Sequence, residues 1–311
     1  MIGKISFKLL LFLATVIICA KVSVAAEAPD NQIKLPITVF VSIGAHLDFC
    51  QEIGAERVLV KLALPPGKSP ATYAPTPHLV QDLSQSSLYF KVGLPFETAL
   101  LRKIIALPRS PEIIDTQKDI ILQPMQSGVH KKNHDRHNYR HPGKSHSHAG
   151  LDPHTWLDPQ LALKHATTIY RTLSQVDPDG KNIYTNNYNL LKDKLKVLDK
   201  DLKKSFKPFI GSTIFVYHPA FGYFARAFEL RQIAIEFAGK KPTAKELENF
   251  ITEARRENIS ALFVQPQFDR RSANKISQIL GCKVIGIDPL ATDYCRNLSH
   301  IATAILANIK D

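Results

Sequence analysis

The 311-residue sequence lacks any apolar run long enough to cross a membrane. Its longest such run covers residues 9–20, whereas a helix needs about twenty apolar residues to span the hydrocarbon core. Lys4 and Lys8 precede this run, and small residues follow it up to Ala26. This pattern is typical of a secretory signal peptide. We therefore predict a signal peptide over residues 1–26, cleaved near Ala26, and export of the remaining chain.

Cysteine is also scarce, with four in the chain. The bulky Ile18 before Cys19 does not suit lipid attachment, so we expect a free periplasmic protein. After cleavage Cys50, Cys282 and Cys295 remain, and disulfides persist outside the cytoplasm. A bridge between Cys282 and Cys295 would close a short loop and stabilise the protein by about 3 kcal/mol. The alternative is that all three are buried thiols.

Acidic residues number 28 against 40 basic ones, which gives a formal net charge of +12. A basic chain raises the question of nucleic-acid binding. However, many of the lysines lie along one predicted helix, and no aromatic residue that could stack on bases lies between them. They are Lys192, Lys194, Lys196, Lys200, Lys203 and Lys204. We predict a solvated helix face and no nucleic-acid partner.

The first half of the mature chain alternates between extended and helical patterns. Strands are predicted over residues 37–43, 57–64 and 88–92, and helices over 76–86 and 95–106. Such alternation favours a βα lobe with a mainly parallel sheet. We assign this N-terminal lobe to residues 27–178.

One long amphipathic helix is predicted next, over residues 179–207. Its apolar positions follow a 4-3-4-3-4 spacing: Tyr184, Tyr188, Leu191, Leu195, Leu198 and Leu202. At 1.5 Å per residue the helix would span about 40 Å, which is enough to join two lobes. A coiled-coil dimer is the alternative, but three heptads are the minimum for one, and we expect a monomer.

The alternation of strands and helices resumes over residues 208–311 and predicts a second lobe of similar size. The predicted fold class is therefore α/β, with two Rossmann-like βα lobes joined by one long linking helix. In such sheets a ligand lies at the carboxyl ends of the strands. We predict a metal cleft between the two lobes.

Residues 130–148 fit neither lobe, since they hold six histidines and almost nothing apolar. A segment of this composition cannot pack onto a core. We predict a flexible loop that binds metal weakly, with a plain solvated linker as the alternative. Its candidate ligands are His130, His134, His137, His141, His146 and His148.

Three motifs place metal-binding side chains at element boundaries: DPHTWLDP (152–159), FVYHPAFGYF (215–224) and IGIDPL (285–290). They contain His154, His218 and Asp288, and the last two directly follow strands predicted over residues 213–217 and 283–287. Two imidazoles and a carboxylate suit Zn²⁺ at about 2.0–2.2 Å and also suit Fe²⁺, whereas Mn²⁺ prefers more oxygen. We predict a zinc site on these three residues, with manganese and iron less favoured.

Several runs carry a family resemblance: LALPPGKSPATYAPTP (62–77), YFKVGLPFE (89–97), YHPAFGYFARAFEL (217–230), IEFAGKKPTAKELENFI (235–251) and IGIDPLATD (285–293). With these motifs in this order, the chain resembles the zinc and manganese solute-binding proteins of ABC importers. The resemblance implies two α/β lobes, a linking helix that limits hinge motion, and delivery of the metal to a membrane permease. It also implies that a histidine-rich insert is typical of zinc-specific members.

The same resemblance assigns His154 and His218 to the second and third histidine ligands of the family, and Asp288 to its carboxylate. The first histidine of the family falls at Ala71, whose methyl group cannot bind metal. Three explanations stay open: water completes the site, a nearby imidazole such as His78 or one from the flexible segment reaches it, or the site has weakened.

Three function classes fit these observations. A binding protein that captures zinc for a permease is the first, and it requires no catalysis. A metalloenzyme is the second, because three ligands with an open position are also used by catalytic zinc. It would need a base, for which Glu236 is a candidate, but no HExxH motif is present. A metal-binding adhesin is the third, although the absence of a lipid-attachment cysteine disfavours surface display.

Overall fold

The computed structural model describes residues 36–125, 150–236 and 242–309. These residues form two lobes, each built on a four-stranded parallel sheet with helices around it. The predicted α/β class with two lobes is therefore confirmed. The predicted signal peptide lies outside the described residues, and none of the helices within them is long and apolar enough to span a bilayer.

The first lobe alternates strands and helices up to the start of the linking helix. Its elements are β1 (Ile37–Val41), α1 (Gly44–Gly54), β2 (Val58–Leu62), α2 (Pro77–Ser84), β3 (Leu88–Lys91), α3 (Pro95–Ile105), β4 (Glu112–Asp115) and α4 (Pro159–Val176). The strand order is β2-β1-β3-β4, with every pair parallel. β1 and β3 are almost wholly buried, as expected for β-branched and aromatic strands covered on both faces.

The linking helix α5 runs over Lys181–Phe206. One face buries Tyr184, Leu191, Leu195, Leu198, Leu202 and Phe206. This face packs against α1 and α4 of the first lobe and against the last helix of the second. Asp177 anchors its start, accepting hydrogen bonds from Arg57 Nε at 2.6 Å and Nη2 at 2.7 Å. A single stiff helix thus contacts both lobes.

The second lobe repeats the arrangement of the first. Its elements are β5 (Thr213–Val216), α6 (Gly222–Ala227), β6 (Arg231–Ala234), α7 (Ala244–Arg256), β7 (Ala261–Val264), α8 (Arg270–Leu280), β8 (Lys283–Gly286) and α9 (Tyr294–Leu306). The strand order is β6-β5-β7-β8, again all parallel. The lobe boundaries predicted at residues 178 and 207 stay predictions.

Direct hydrogen bonds join the lobes beside the linking helix. The indole of Trp156, which is 1% exposed, donates to the carbonyl of Pro289 at 2.8 Å. The Tyr294 hydroxyl donates to the carbonyl of Trp156 at 2.8 Å, and the Tyr294 amide donates to Asp48 Oδ2 at 2.7 Å. The loop that carries His154 is therefore tied directly to the second lobe.

The predicted disulfide between Cys282 and Cys295 is wrong. Both residues are free thiols, as is the buried Cys50. Cys282 lies between α8 and β8 and packs into the separate core of the second lobe. Cys295 lies on α9 and packs against the larger core that includes α5. Because the two side chains belong to different cores, closeness in sequence does not bring them together.

Candidate metal site

His154 is held by its own loop, just before α4. The loop makes a single 3₁₀ turn at Thr155–Leu157, and His154 lies at its start. Asp152 Oδ1 accepts from the His154 amide at 2.9 Å and from the ring Nδ1 at 2.7 Å. Both side chains are buried. With Nδ1 engaged, Nε2 is the ring nitrogen that remains for a metal.

His218 is held in the same way at the carboxyl end of β5. Its Nδ1 donates to Glu236 Oε2 at 2.7 Å. The Gln265 side chain fixes the main chain, since Oε1 accepts from the His218 amide at 3.2 Å and Nε2 donates to its carbonyl at 3.0 Å. The ring of Phe268 stacks on the imidazole with centroids 4.9 Å apart.

Burial lowers the pKa of His218, and the nearby Glu236 opposes this shift without reversing it. The imidazole therefore stays neutral at neutral pH, which is the form that binds metals. Glu236 also has a buried oxygen, Oε1, without a hydrogen-bond partner among the described residues. A cation at the imidazole would offset this buried negative charge.

The two histidines come from different lobes and meet at one place. Their ring centroids are 5.4 Å apart, and the ring planes cross at 74°. Because Zn–N bonds measure about 2.0–2.1 Å, rings at this separation can share one ion. A carboxylate behind each imidazole is the usual support of histidine ligands in metal sites. The residues fit a divalent metal with nitrogen ligands.

Asp288 lies close by but is engaged elsewhere. Its Oδ1 accepts from Gln267 Nε2 at 2.9 Å and from the Leu290 amide at 3.0 Å. It does not line the cavity that contains the two histidines. In the described parts of the chain, no three His, Cys, Asp or Glu side chains are grouped closely enough to hold a metal. The role of Asp288 as a ligand stays a prediction.

The cavity over the two histidines has a volume of about 220 Å³. Loops that follow β2, β3 and β4 line it from the first lobe, and loops that follow β5, β7 and β8 line it from the second. It thus lies at the carboxyl ends of both sheets, where α/β folds bind ligands.

Ala71 lines this cavity, whereas His78 does not. His78 lies on α2 with 83% of its side chain exposed, and its Nδ1 is 3.5 Å from Asp82 Oδ2. Met125 and Gly150 also line the cavity, and the Met125 amide donates to the Gly150 carbonyl at 3.1 Å. The six histidines of residues 130–148 lie outside the described residues.

Several residues of the site were not predicted as such. Asp152 could have been found, because a carboxylate two positions before a histidine ligand can reach its Nδ1. Glu236 is a candidate base by its sequence, but its Oε2 accepts from His218 Nδ1 in the structure. Gln265, Gln267 and Phe268 carry no metal-binding signal in the sequence, and only the fold brings them beside His218.

Two α/β lobes with a pair of carboxylate-supported histidines between them define a metal-binding protein of the solute-binding class. The chain belongs to the family described as zinc-uptake complex component A, periplasmic, whose model matches residues 39–308. This agrees with the resemblance seen in the sequence.

Individual relatives agree with the family assignment. The chain is similar to a solved structure described as "Crystal structure of ZnuA", with a TM-score of 0.77, 31% identity, and coverage of 88% of this chain and 98% of that one. It is 26% identical to the "High-affinity zinc uptake system protein ZnuA" of Yersinia pestis, over 90% of this chain and 94% of that protein. It is 27% identical to the "Manganese ABC transporter substrate-binding lipoprotein PsaA" of Streptococcus mitis, over 88% and 86%.

The chain is therefore a substrate-binding protein of a metal ABC transporter, a family of solute-binding proteins for metal transport. This class implies a metal ion as ligand and a membrane permease as partner. The matched proteins include both zinc and manganese binders, and they are described as periplasmic or as lipoproteins.

Proposed function

We propose that this protein captures Zn²⁺ in the periplasm at His154 and His218 and delivers it to the permease of an ABC importer. The observation that supports zinc is the pair of imidazoles whose Nδ1 atoms lie 2.7 Å from Asp152 and Glu236. Nitrogen donors favour zinc over manganese, which prefers oxygen ligands. Fe²⁺ would accept the same donors and is the less favoured alternative.

Asp288 completes the ligand set in this proposal. Its carboxylate leaves the amide of Gln267 and turns toward the ion when the metal binds. The two states differ in up to two hydrogen bonds, since Asp288 Oδ1 accepts from Gln267 Nε2 at 2.9 Å and from the Leu290 amide at 3.0 Å in the structure. Each such bond contributes about 1 kcal/mol net, so a metal–carboxylate bond can replace them. The fourth position, beside Ala71, is then open.

Binding proceeds without chemical turnover in this proposal. A hydrolytic metalloenzyme needs a base beside the bound water. Glu236, the candidate base, has Oε2 occupied by His218 Nδ1 and is 4% exposed. Its position suits the orientation of an imidazole rather than proton transfer to a substrate in the cavity.

The test is a zinc titration of mature protein, residues 27–311, by calorimetry with a competing chelator. We expect His154→Ala and His218→Ala each to weaken zinc binding by at least about 100-fold, more than the loss of an outer carboxylate costs. Asp288→Ala should weaken it to a smaller extent. His78→Ala is the matched control, because His78 is exposed and outside the cavity.

A variant lacking residues 130–148 separates the cleft from the histidine-rich segment. We expect it to keep the tight site and to lose only weaker binding. If the two cleft variants keep full affinity while the deletion abolishes it, the assignment of zinc to the cleft is wrong.

A further inference from the structure

The cavity over His154 and His218 is unusually apolar for a site that would hold a hydrated ion. Its polar side chains are Ser69, His154, His218, Gln265 and Gln267, and its other lining residues are apolar or glycine. Three of these polar groups are already occupied: Ser69 Oγ by the Ala71 amide, the Gln265 amide by the His218 main chain, and Gln267 Nε2 by Asp288.

A zinc ion bound by the two imidazoles and Asp288 would keep water in the open position beside Ala71. The side chains of Leu94, Met125 and Leu290, which also line the cavity, offer that water at most the weak thioether acceptor of Met125. A buried water needs two to four polar partners, and polar groups without partners in an apolar environment are costly. Apolar walls of this kind suit an organic group better than a hydration shell.

The space is also larger than an ion requires. The cavity of about 220 Å³ far exceeds the roughly 10–15 Å³ that one water needs. It falls below the range of about 300–1,000 Å³ usual for drug-sized ligands. Ala71 contributes to this space because its side chain is a single methyl group. The volume therefore leaves room for a small organic molecule beside the ion.

We propose that the cargo enters as a zinc chelate, in which a small amino-acid-sized chelator supplies the ligands that the cleft lacks beside Ala71. This inference rests on the proposed zinc site and specifies the form in which zinc arrives. Nε2 of His154, Nε2 of His218 and the carboxylate of Asp288 displace water from the chelate. The chelator keeps its own bonds to zinc, and its carbon skeleton packs against the apolar walls.

The charges near the cavity restrict the chelate further. The described residues that line it include no lysine or arginine, so these residues offer no ion pair to a free carboxylate on the chelator. Asp152 and Glu236 stand behind the histidines with their negative charges. A chelate with net positive or zero charge is therefore favoured. One zinc with one singly charged amino acid satisfies this condition, whereas zinc citrate is negative.

The experiment uses mature protein and three probes: zinc with L-histidine, zinc with glycine, and zinc with citrate, each compared with aqueous zinc. Native mass spectrometry shows whether the protein retains the chelator together with the metal, and calorimetry measures the affinity of the protein for each form of zinc. We expect one amino acid to be retained per zinc, with apparent affinity at least about ten-fold above aqueous zinc. Citrate should act only as a competitor.

Ala71→His is the matched variant, because its imidazole fills the same space and supplies a ligand. We expect it to bind aqueous zinc more tightly than the wild-type protein and to retain no amino acid. His78→Ala, outside the cavity, should behave as wild type.

The outcomes separate this inference from the function on which it rests. If zinc binds through His154 and His218 but none of the three chelators is retained, the chelate is excluded and the zinc site stands. Retention of citrate in preference to the amino acids would overturn the charge argument and the proposal with it. If neither aqueous nor chelated zinc depends on the two histidines, both proposals fail.

Discussion

At the scale of single residues, a second pair of histidines lies buried in the first lobe. His46 Nε2 is 3.1 Å from His165 Nδ1, and His165 Nε2 is 2.8 Å from Thr155 Oγ1. Both side chains are fully buried. Burial lowers the pKa of His46 well below its ordinary value and lowers that of His165 to about 3. Both imidazoles are therefore neutral in the folded protein at neutral pH.

We predict that this pair makes the metal-free protein less stable in acid. In the unfolded chain both histidines accept a proton near pH 6.5, whereas in the folded protein they do so only at much lower pH. Their contribution to stability is present above about pH 6.5 and is lost as pH falls toward 3. Melting temperatures of metal-free protein between pH 7.5 and 4.5 should decline accordingly.

The comparison that isolates this effect is the double variant His46→Gln, His165→Gln. Asp48 acts in the opposite direction, since burial raises its pKa to about 6. The quantity to compare is therefore the difference in melting temperature between the variant and the wild-type protein. That difference should shrink as pH is lowered. An unchanged difference across the range would contradict the prediction.

The carboxylates behind His154 and His218 allow a second prediction at this scale. Glu236→Gln keeps the size of the side chain but removes its charge, and we expect zinc affinity to fall about 10–100-fold. Asp152→Asn should act similarly on His154. Calorimetric titration measures the loss, and circular dichroism checks that the fold is intact. Wild-type affinity in both variants would show that these carboxylates do not support the site.

The residue scale also shows the limits of sequence reasoning. The closeness of His154 and His218 could be predicted because each lies in a motif at an element boundary, and their ring centroids lie 5.4 Å apart in the structure. The engagement of Asp288 with Gln267 could not be predicted, because one side-chain rotation decides it. The disulfide prediction was wrong because a separation of thirteen residues in the chain does not determine which core each thiol packs into.

At the scale of secondary structure, periodicity was sufficient for most elements. The predicted strand over 88–92 and helix over 95–106 correspond to β3 (Leu88–Lys91) and α3 (Pro95–Ile105). β4 (Glu112–Asp115) was not predicted, since four residues without a fully buried side chain carry little pattern. The order of the strands in each sheet could not be predicted from the sequence either, because it depends on which strands pair with each other in the folded protein.

The linking helix provides a matched pair of substitutions. Leu195 is 1% exposed in the interface with the lobes, whereas Leu190 on the opposite face is 64% exposed. We predict that Leu195→Ala lowers the free energy of unfolding by about 2–5 kcal/mol. Leu190→Ala should change it by less than about 0.5 kcal/mol. Denaturant unfolding of both variants measures the difference, and equal effects would contradict the packing of α5.

At the scale of the whole molecule, the lobes approach closely as well as sharing the linking helix. A side chain on Gly44, at the start of α1, would place its Cβ only 2.6 Å from the carbonyl oxygen of Leu290. This contact lies one residue from Pro289, which accepts from the indole of Trp156. The loop that carries His154 and the loop after β8 are thus held together before any metal binds.

Because each lobe supplies one histidine, zinc should stabilise the molecule as a whole. A ligand that binds only the folded state at about 1,000 times its dissociation constant adds roughly 4 kcal/mol to the free energy of unfolding. For a chain of this size each kcal/mol corresponds to about 2–4 °C, so we expect the melting temperature to rise by roughly 10 °C. His154→Ala and His218→Ala should each remove this rise, and His78→Ala should keep it.

Scanning calorimetry of a variant lacking residues 130–148 is the stricter measurement, because histidines in the unfolded chain also bind zinc and reduce the shift in melting temperature. A rise that persists in the deletion variant after both cleft histidines are replaced would mean that the stabilising metal lies outside the cleft.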